Sequence, residues 1–116
     1  MEIYELSKKC GLKIQTIEKI TGVLRQHGEV EAAILYGSRA KGNYRPGSDI
    51  DLTLTGEDLT YRMMTRIDDK IDDLLLPYLF DLSVLRQIEN PNVVEQIHRF
   101  GLLFYQREET PLEAAT

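Results

Sequence analysis

Two aspartates separated by a single residue, Asp49 and Asp51, are the side chains of this sequence best suited to chemistry. They begin the stretch at residues 49–55, in which polar and apolar side chains alternate as they do in a half-buried β-strand. Because every second side chain of a strand points to the same face, the two carboxylates are expected about 7 Å apart on one face. Carboxylates that close repel each other unless a cation lies between them. The spacing therefore predicts a site for a divalent cation such as Mg²⁺.

A second candidate is the pair Gly37-Ser38, which follows a short apolar run at residues 33–36 that is typical of a buried strand. A strand that ends in Gly-Ser before a short helical turn presents free backbone N–H groups and a hydroxyl, which bind phosphate well. Arg39 and Lys41 add positive charge and are candidates for triphosphate contacts, with exposed surface charge as the alternative for both. A phosphate cradle next to a carboxylate pair predicts nucleotide chemistry.

A third carboxylate, Asp81, lies within the apolar stretch at residues 79–85, which is the third predicted strand. Phe80 and Leu82 point to one face of this strand and Asp81 to the other. A charged side chain in such a strand is costly without a partner, unless the strand is an edge strand and the aspartate is in water. Strand parity places Asp81 on the same uncovered face of the sheet as the aspartate pair.

The elements that must position these residues follow from the spacing of the apolar side chains. Apolar residues recur at three and four positions in three segments, which predicts amphipathic helices. These segments are residues 13–27, 59–75 and 91–100. A last edge strand is expected at residues 102–105. This order predicts an α+β fold, a mixed β-sheet with helices packed on one face.

Residues 1–105 are predicted to form a single domain. Residues 1–12 remain ambiguous, with a short helix ended by Gly11 as one option. Residues 106–116 are polar and are expected to be a flexible C-terminal tail.

The helix at residues 59–75 carries four aspartates on its polar side, which is predicted to be a solvated surface. An acidic metal site is the alternative. The four are Asp68, Asp69, Asp72 and Asp73.

Composition excludes several classes of function. The net charge of −5 argues against a general nucleic-acid-binding surface, which would normally be basic. The single cysteine, Cys10, allows no intrachain disulfide and fits a reducing compartment. No apolar run is long enough to cross a membrane, and no signal peptide is recognisable at the start of the sequence. We therefore expect a cytoplasmic protein with no membrane partner.

The spacing Gly37-Ser38, ten residues, then Asp49-Ile50-Asp51 resembles the signature of the polymerase-beta-like nucleotidyltransferase superfamily. The longer segment GSRAKGNYRPGSDIDL, in a chain of 116 residues, is similar to the minimal nucleotidyltransferases. Members of that family are the antitoxins of HEPN/MNT toxin–antitoxin modules. The resemblance covers residues 30–85 most clearly.

This resemblance implies a nucleotidyltransferase fold and an enzyme that transfers AMP from ATP, or the equivalent group of another nucleoside triphosphate, to a hydroxyl. The acceptor that it implies is a tyrosine of a HEPN-domain toxin. Two Mg²⁺ ions, replaceable by Mn²⁺, are the implied cofactors. The implied nucleotide-binding residues are Gly37, Ser38 and Arg39, and the implied catalytic and metal-binding residues are Asp49, Asp51 and Asp81, the last also as a general base.

Two other functions remain open from the sequence. The chain could be a binding module that neutralises its partner by occlusion, without catalysis. Alternatively, it could modify a small molecule, although 116 residues leave little room for an acceptor site unless a dimer or a further domain supplies one. The sequence is compatible with a homo-oligomer and with a hetero-oligomer.

Overall fold

The computed structural model describes residues 1–108 of the chain. The helices are α1 (Ile3–Cys10), α2 (Ile14–Arg25), α3 (Ser38–Lys41), α4 (Tyr61–Asp72) and α5 (Pro91–Phe100), with a 3₁₀ turn at Leu85–Gln87. The strands are β1 (Ala32–Tyr36), β2 (Ile50–Thr55), β3 (Phe80–Val84) and β4 (Leu102–Gln106). The ambiguous first segment is thus a helix, and Gly11, in the left-handed conformation, ends it.

The four strands form one mixed sheet in the order β3-β2-β1-β4. Strand β1 is antiparallel to both β2 and β4, whereas β2 and β3 are parallel. The predicted α+β fold with a mixed sheet is therefore confirmed. The register pairs Tyr36 with Asp51 and Asp51 with Asp81, so these three residues lie side by side across three strands.

The main hydrophobic core lies between one face of the sheet and helices α1, α2 and α4. Leu35 and Leu52 from the sheet, Ile20 from α2 and Ile67 from α4 are fully buried there. The alternation of the strands explains this arrangement, because every second residue of β1 and β2 points into the core. The polar residues between them point to the other face.

Helix α5 packs against part of that other face, which the sequence analysis expected to be uncovered. A Cβ atom at Gly101, the residue that ends α5, would lie 2.7 Å from Ile34 Cγ2, and Ile34 alternates with the core residues Ala33 and Leu35. Ile97 of α5 is buried but lies outside the main core. Asn90 caps α5 by accepting a hydrogen bond from the Asn92 N–H, with Pro91 in the first turn.

Several ends of elements differ from the prediction by one to three residues, among them the ends of α4 and β4. Helix α4 ends at Asp72, not at residue 75, because aspartates in its last turn oppose the helix dipole and Pro77 disfavours helix in the residue before it. Strand β4 continues to Gln106, and Arg107 forms an ion pair with Glu31 at 3.7 Å. Residues 109–116 of the predicted tail lie outside the described residues. No helix within residues 1–108 has the length and apolar character needed to cross a membrane.

Candidate functional site

The Gly-Ser turn and the carboxylate of Asp51 lie in direct contact. Gly37 is the residue between β1 and α3, with φ at 75° and ψ at −156°, a conformation that L-residues rarely adopt. A Cβ atom on Gly37 would collide with Asp51 Oδ2. Among residues 1–108, no side chain caps the N-terminus of α3, so within this part of the chain its first N–H groups are available to a ligand. The phosphate-binding and metal-binding patterns of the sequence therefore meet at one place.

Three carboxylates share this place. Asp51 and Asp81 are neighbours in the parallel pair of β2 and β3, and Asp49 immediately precedes β2 on the same side. Burial raises the pKa of the Asp51 carboxyl, and the charges of Asp81 and then Asp49 raise it further. Among residues 1–108, none of the three forms an ion pair. The site thus carries concentrated negative charge that the described part of the chain does not neutralise.

Tyr36 belongs to the same site, although the sequence analysis did not single it out. It is the last residue of β1, opposite Asp51 in the register, and its phenol is partly buried. Burial raises the pKa of Tyr36, and the nearby Asp81 and Asp51 carboxylates add to the rise. The signal was present in the sequence, because Tyr36 alternates with the core residues Ala33 and Leu35 and so had to face the carboxylates.

Arg39 lies beneath the turn and is only 1% exposed. Its guanidinium donates hydrogen bonds from NH1 to the Cys10 carbonyl at 2.9 Å, from Nε to the Ser48 carbonyl at 3.0 Å and from NH2 to the Pro46 carbonyl at 3.1 Å. It also lies between two aromatic rings, with its Cζ 5.2 Å from the ring centroid of Tyr44 and 4.9 Å from that of Tyr78. We call these six residues the Arg39 cluster.

The position of Arg39 corrects the sequence analysis, which placed it among the nucleotide-binding residues with surface exposure as the alternative. The guanidinium points into the protein and is engaged by backbone carbonyls, so we assign it to holding the turn and the loop that leads to Asp49. Lys41 is the exposed cation of the two, with its Nζ 5.4 Å from the ring centroid of Phe100.

The sequence matches the model of a protein family described as polymerase beta, nucleotidyltransferase, over residues 18–110. The chain belongs to this family. The match includes the Gly-Ser turn and all three aspartates of this nucleotidyltransferase. The resemblance drawn from the motif is therefore confirmed for the family.

Solved structures of similar fold include three toxin–antitoxin complexes. One contains AMP-PNP and is 23% identical over 79% of this chain and 74% of that chain, with a TM-score of 0.64. A MntA–HepT complex is 20% identical over 89% and 78%, with a TM-score of 0.60. A tri-AMPylated Shewanella oneidensis HEPN toxin in complex with MNT antitoxin is 21% identical over 79% and 71%, also at 0.60. These likenesses establish the fold. No curated protein matches this nucleotidyltransferase significantly.

The residues of this nucleotidyltransferase suit a divalent cation in their chemistry. Carboxylate oxygens are the ligands that Mg²⁺ and Mn²⁺ prefer, and the like charges of Asp49, Asp51 and Asp81 favour a cation among them. Within residues 1–108, however, no three acidic, histidine or cysteine side chains stand close enough together to surround one ion. The donor set fits the metal, and its oxygens would have to converge when the metal binds.

Proposed function

We propose that this nucleotidyltransferase transfers AMP from ATP to a hydroxyl group of a protein, a tyrosine of a HEPN-domain toxin, and thereby acts as an antitoxin in the cytoplasm. The single observation that carries the proposal is the contact of Gly37 with Asp51 Oδ2. This contact supports the proposal because nucleotide transfer requires a turn that binds phosphate to lie close to the carboxylates that hold the cation. All the residues involved lie within residues 1–105, which we propose form one domain.

The reaction divides into binding and transfer. The free N–H groups at the start of α3 and the Ser38 hydroxyl bind the β- and γ-phosphates, and Gly37 lets the backbone approach them closely. Asp49, Asp51 and Asp81 would hold two Mg²⁺ ions. Such ions neutralise charge on the triphosphate and make the acceptor hydroxyl more acidic.

In the transfer step, the acceptor oxygen forms a bond to the α-phosphorus of ATP. The bond between this phosphorus and the oxygen that bridges to the β-phosphate breaks, and pyrophosphate leaves. Asp81 accepts the proton of the acceptor hydroxyl as a general base. Arg39 holds the loop before Asp49 through its hydrogen bonds to the Pro46 and Ser48 carbonyls, and it does not contact the nucleotide.

The competing proposal is neutralisation by occlusion, and Asp81→Asn separates the two. This change removes a charge and a base but hardly alters the shape of the surface, so partner binding is expected to persist. Transfer of AMP should fall about a hundredfold or more. Asp58→Asn, an exposed aspartate in the turn before α4, is the matched control and should keep full activity.

The experiment mixes each variant with ATP, Mg²⁺ and a HEPN-domain protein as the proposed acceptor, and measures the intact mass of that protein. The proposal predicts addition of AMP groups by the wild type and by Asp58→Asn, and almost none by Asp81→Asn. A wild type that neutralises the toxin without changing its mass would establish occlusion instead.

A further inference from the structure

The segment between α4 and β3 exposes large apolar side chains in a regular pattern. From Leu74 to Asp81 every second residue is exposed, and the residues between them are partly buried against the core. Leu75 is 89% exposed and Leu79 is 74% exposed, with Pro77 between them. Leu76 and Tyr78 pack against the core, so the side chains of Leu75 and Leu79 beside them point to solvent. We call Leu75, Pro77 and Leu79 the apolar stripe.

The apolar stripe leads directly to the carboxylates. Leu79 precedes β3, and its carbonyl accepts a hydrogen bond from the Ile50 N–H at 2.9 Å, which fixes it beside the start of β2. Asp81 lies two residues further along and shares the exposed side of the chain with Leu79. Side chains two residues apart on a strand are about 7 Å apart, so a protein surface that covers Leu79 can extend to the Asp81 carboxylate.

The same segment violates several rules of local stability. Leu75 has φ at 55°, a left-handed conformation that costs a residue other than glycine about 1 kcal/mol. Asp68 and Asp72, and likewise Asp69 and Asp73, are like charges four residues apart at the C-terminal end of α4, where the helix dipole also disfavours them. Such local conflicts are typical of surfaces that are selected for binding.

We propose that the apolar stripe, together with the aspartates at the end of α4, is the surface that docks the protein acceptor. This inference rests on the proposed transfer to a protein and adds where the acceptor binds. A tyrosine that reacts beside Asp81 must bring its flanking surface against Leu79, because Leu79 borders the carboxylate. The chemistry of the surface predicts that the acceptor presents an apolar side chain and several lysines or arginines near the modified tyrosine.

Charge favours this occupant over the other candidates. A second copy of this chain would bring the same aspartates together, and an anionic lipid surface would be repelled by them. A basic acceptor would gain from both the apolar contact and the charge, with an association rate that falls as salt is added.

The test compares Leu75→Ser/Leu79→Ser with the control Leu103→Ser, which changes a leucine that is 43% exposed on β4, the opposite edge strand. Binding of the HEPN-domain protein proposed as the acceptor is measured by calorimetry without nucleotide, and AMP transfer is measured separately. The double variant should raise both Kd and KM at least tenfold while kcat at saturating partner and the affinity for ATP remain unchanged. The control should behave as the wild type in all four measurements.

A second variant separates docking from a merely structural role. Leu75→Gly relieves the left-handed conformation, so its melting temperature should rise while partner binding weakens. If Leu75 only stabilised the fold, the same change would lower both the melting temperature and the affinity for the partner. The inference is overturned if the double variant binds and modifies the partner as the wild type does. If the wild type binds the partner but transfers no AMP, and the double variant binds more weakly, then the proposed transfer fails while the docking surface stands.

Discussion

The Arg39 cluster and the carboxylate site lie on the two sides of one turn, yet they treat charge in opposite ways. The single cation Arg39 is buried among three carbonyl oxygens and two aromatic rings. The three anions Asp49, Asp51 and Asp81 have no ion-pair partner within residues 1–108, and burial together with the charges of Asp81 and Asp49 raises the pKa of Asp51. The first region satisfies its charge from within the protein, and the second leaves its charge for a ligand.

This difference in charge pairing distinguishes the Arg39 cluster, which stabilises the fold, from the three aspartates, which are available to bind a ligand. A buried charge is tolerated only when every donor or acceptor is well paired, and removal of one member then exposes the others. A cluster of like charges lowers stability in the absence of a ligand, and such clusters are typical of binding sites. Neutralising a charge should therefore have opposite effects on stability in the two regions.

The largest expected effect is that of Arg39→Met. The change leaves the carbonyls of Cys10, Pro46 and Ser48 without their donor, and we expect a loss of about 3 kcal/mol in the free energy of unfolding. Urea denaturation measures this loss. Arg45→Met, an exposed arginine of the same loop, is the control and should change stability by less than about 0.5 kcal/mol. Equal effects of the two substitutions would contradict the structural role of the Arg39 cluster.

The next effect concerns the boundary between the regions, at Gly37. Gly37→Ala forces a side chain into Asp51 Oδ2 and also strains the backbone, at a cost of about 2 kcal/mol in stability. Gly42→Ala is a matched control, because φ at Gly42 is 86° but its Cβ would meet no atom of residues 1–108 within 4 Å. We expect Gly37→Ala to weaken ATP binding at least tenfold and Gly42→Ala to weaken it much less. Similar affinities for both variants in a calorimetric titration would mean that the turn does not hold phosphate.

The smallest effect has the opposite sign. Asp51→Asn removes one of three mutually repelling charges, so the melting temperature at pH 7 without metal should rise by a few degrees. The pKa of Asp51 is raised above its ordinary value of 3.8, which means that the folded protein binds this proton more tightly than the unfolded chain. The destabilisation caused by the charged Asp51 carboxylate therefore disappears as the pH falls through the raised pKa. The difference in melting temperature between Asp51→Asn and the wild type should become smaller over the same pH range. A variant less stable than the wild type at pH 7 would show that Asp51 is paired.

The carboxylate side was predictable from the sequence because it depends on local geometry. The alternation at residues 49–55 and 79–85 sets which face each aspartate occupies, and the observed register brings Asp51 and Asp81 together. Tyr36 follows from the same rule, and it was missed because residues 33–36 look like a uniformly apolar run. The fold class was predictable for a similar reason, since the period of each segment indicates its type.

The environment of Arg39 was not predictable, because its partners are distant in the sequence. Its NH1 bonds to Cys10, 29 residues earlier, and Tyr78 packs on it from a segment much further along the chain. No local pattern separates such a buried arginine from a surface arginine beside a phosphate-binding turn. The early end of α4 was also not predictable, since the apolar spacing continues to Leu75 while the helix ends at Asp72 and Leu75 is left-handed.

The most direct test of the whole account follows the phosphorus atoms of ATP. The wild-type chain, Mg²⁺ and the proposed partner, a HEPN-domain protein, are incubated with ATP radiolabelled either at the α-phosphate or at the γ-phosphate. Label from the α-position only is expected on the partner, and pyrophosphate should be released. The Asp81→Asn variant should show neither the label nor the pyrophosphate. Label from the γ-position, or no label on a partner that is nevertheless neutralised, would contradict the assignment of this site to nucleotide transfer.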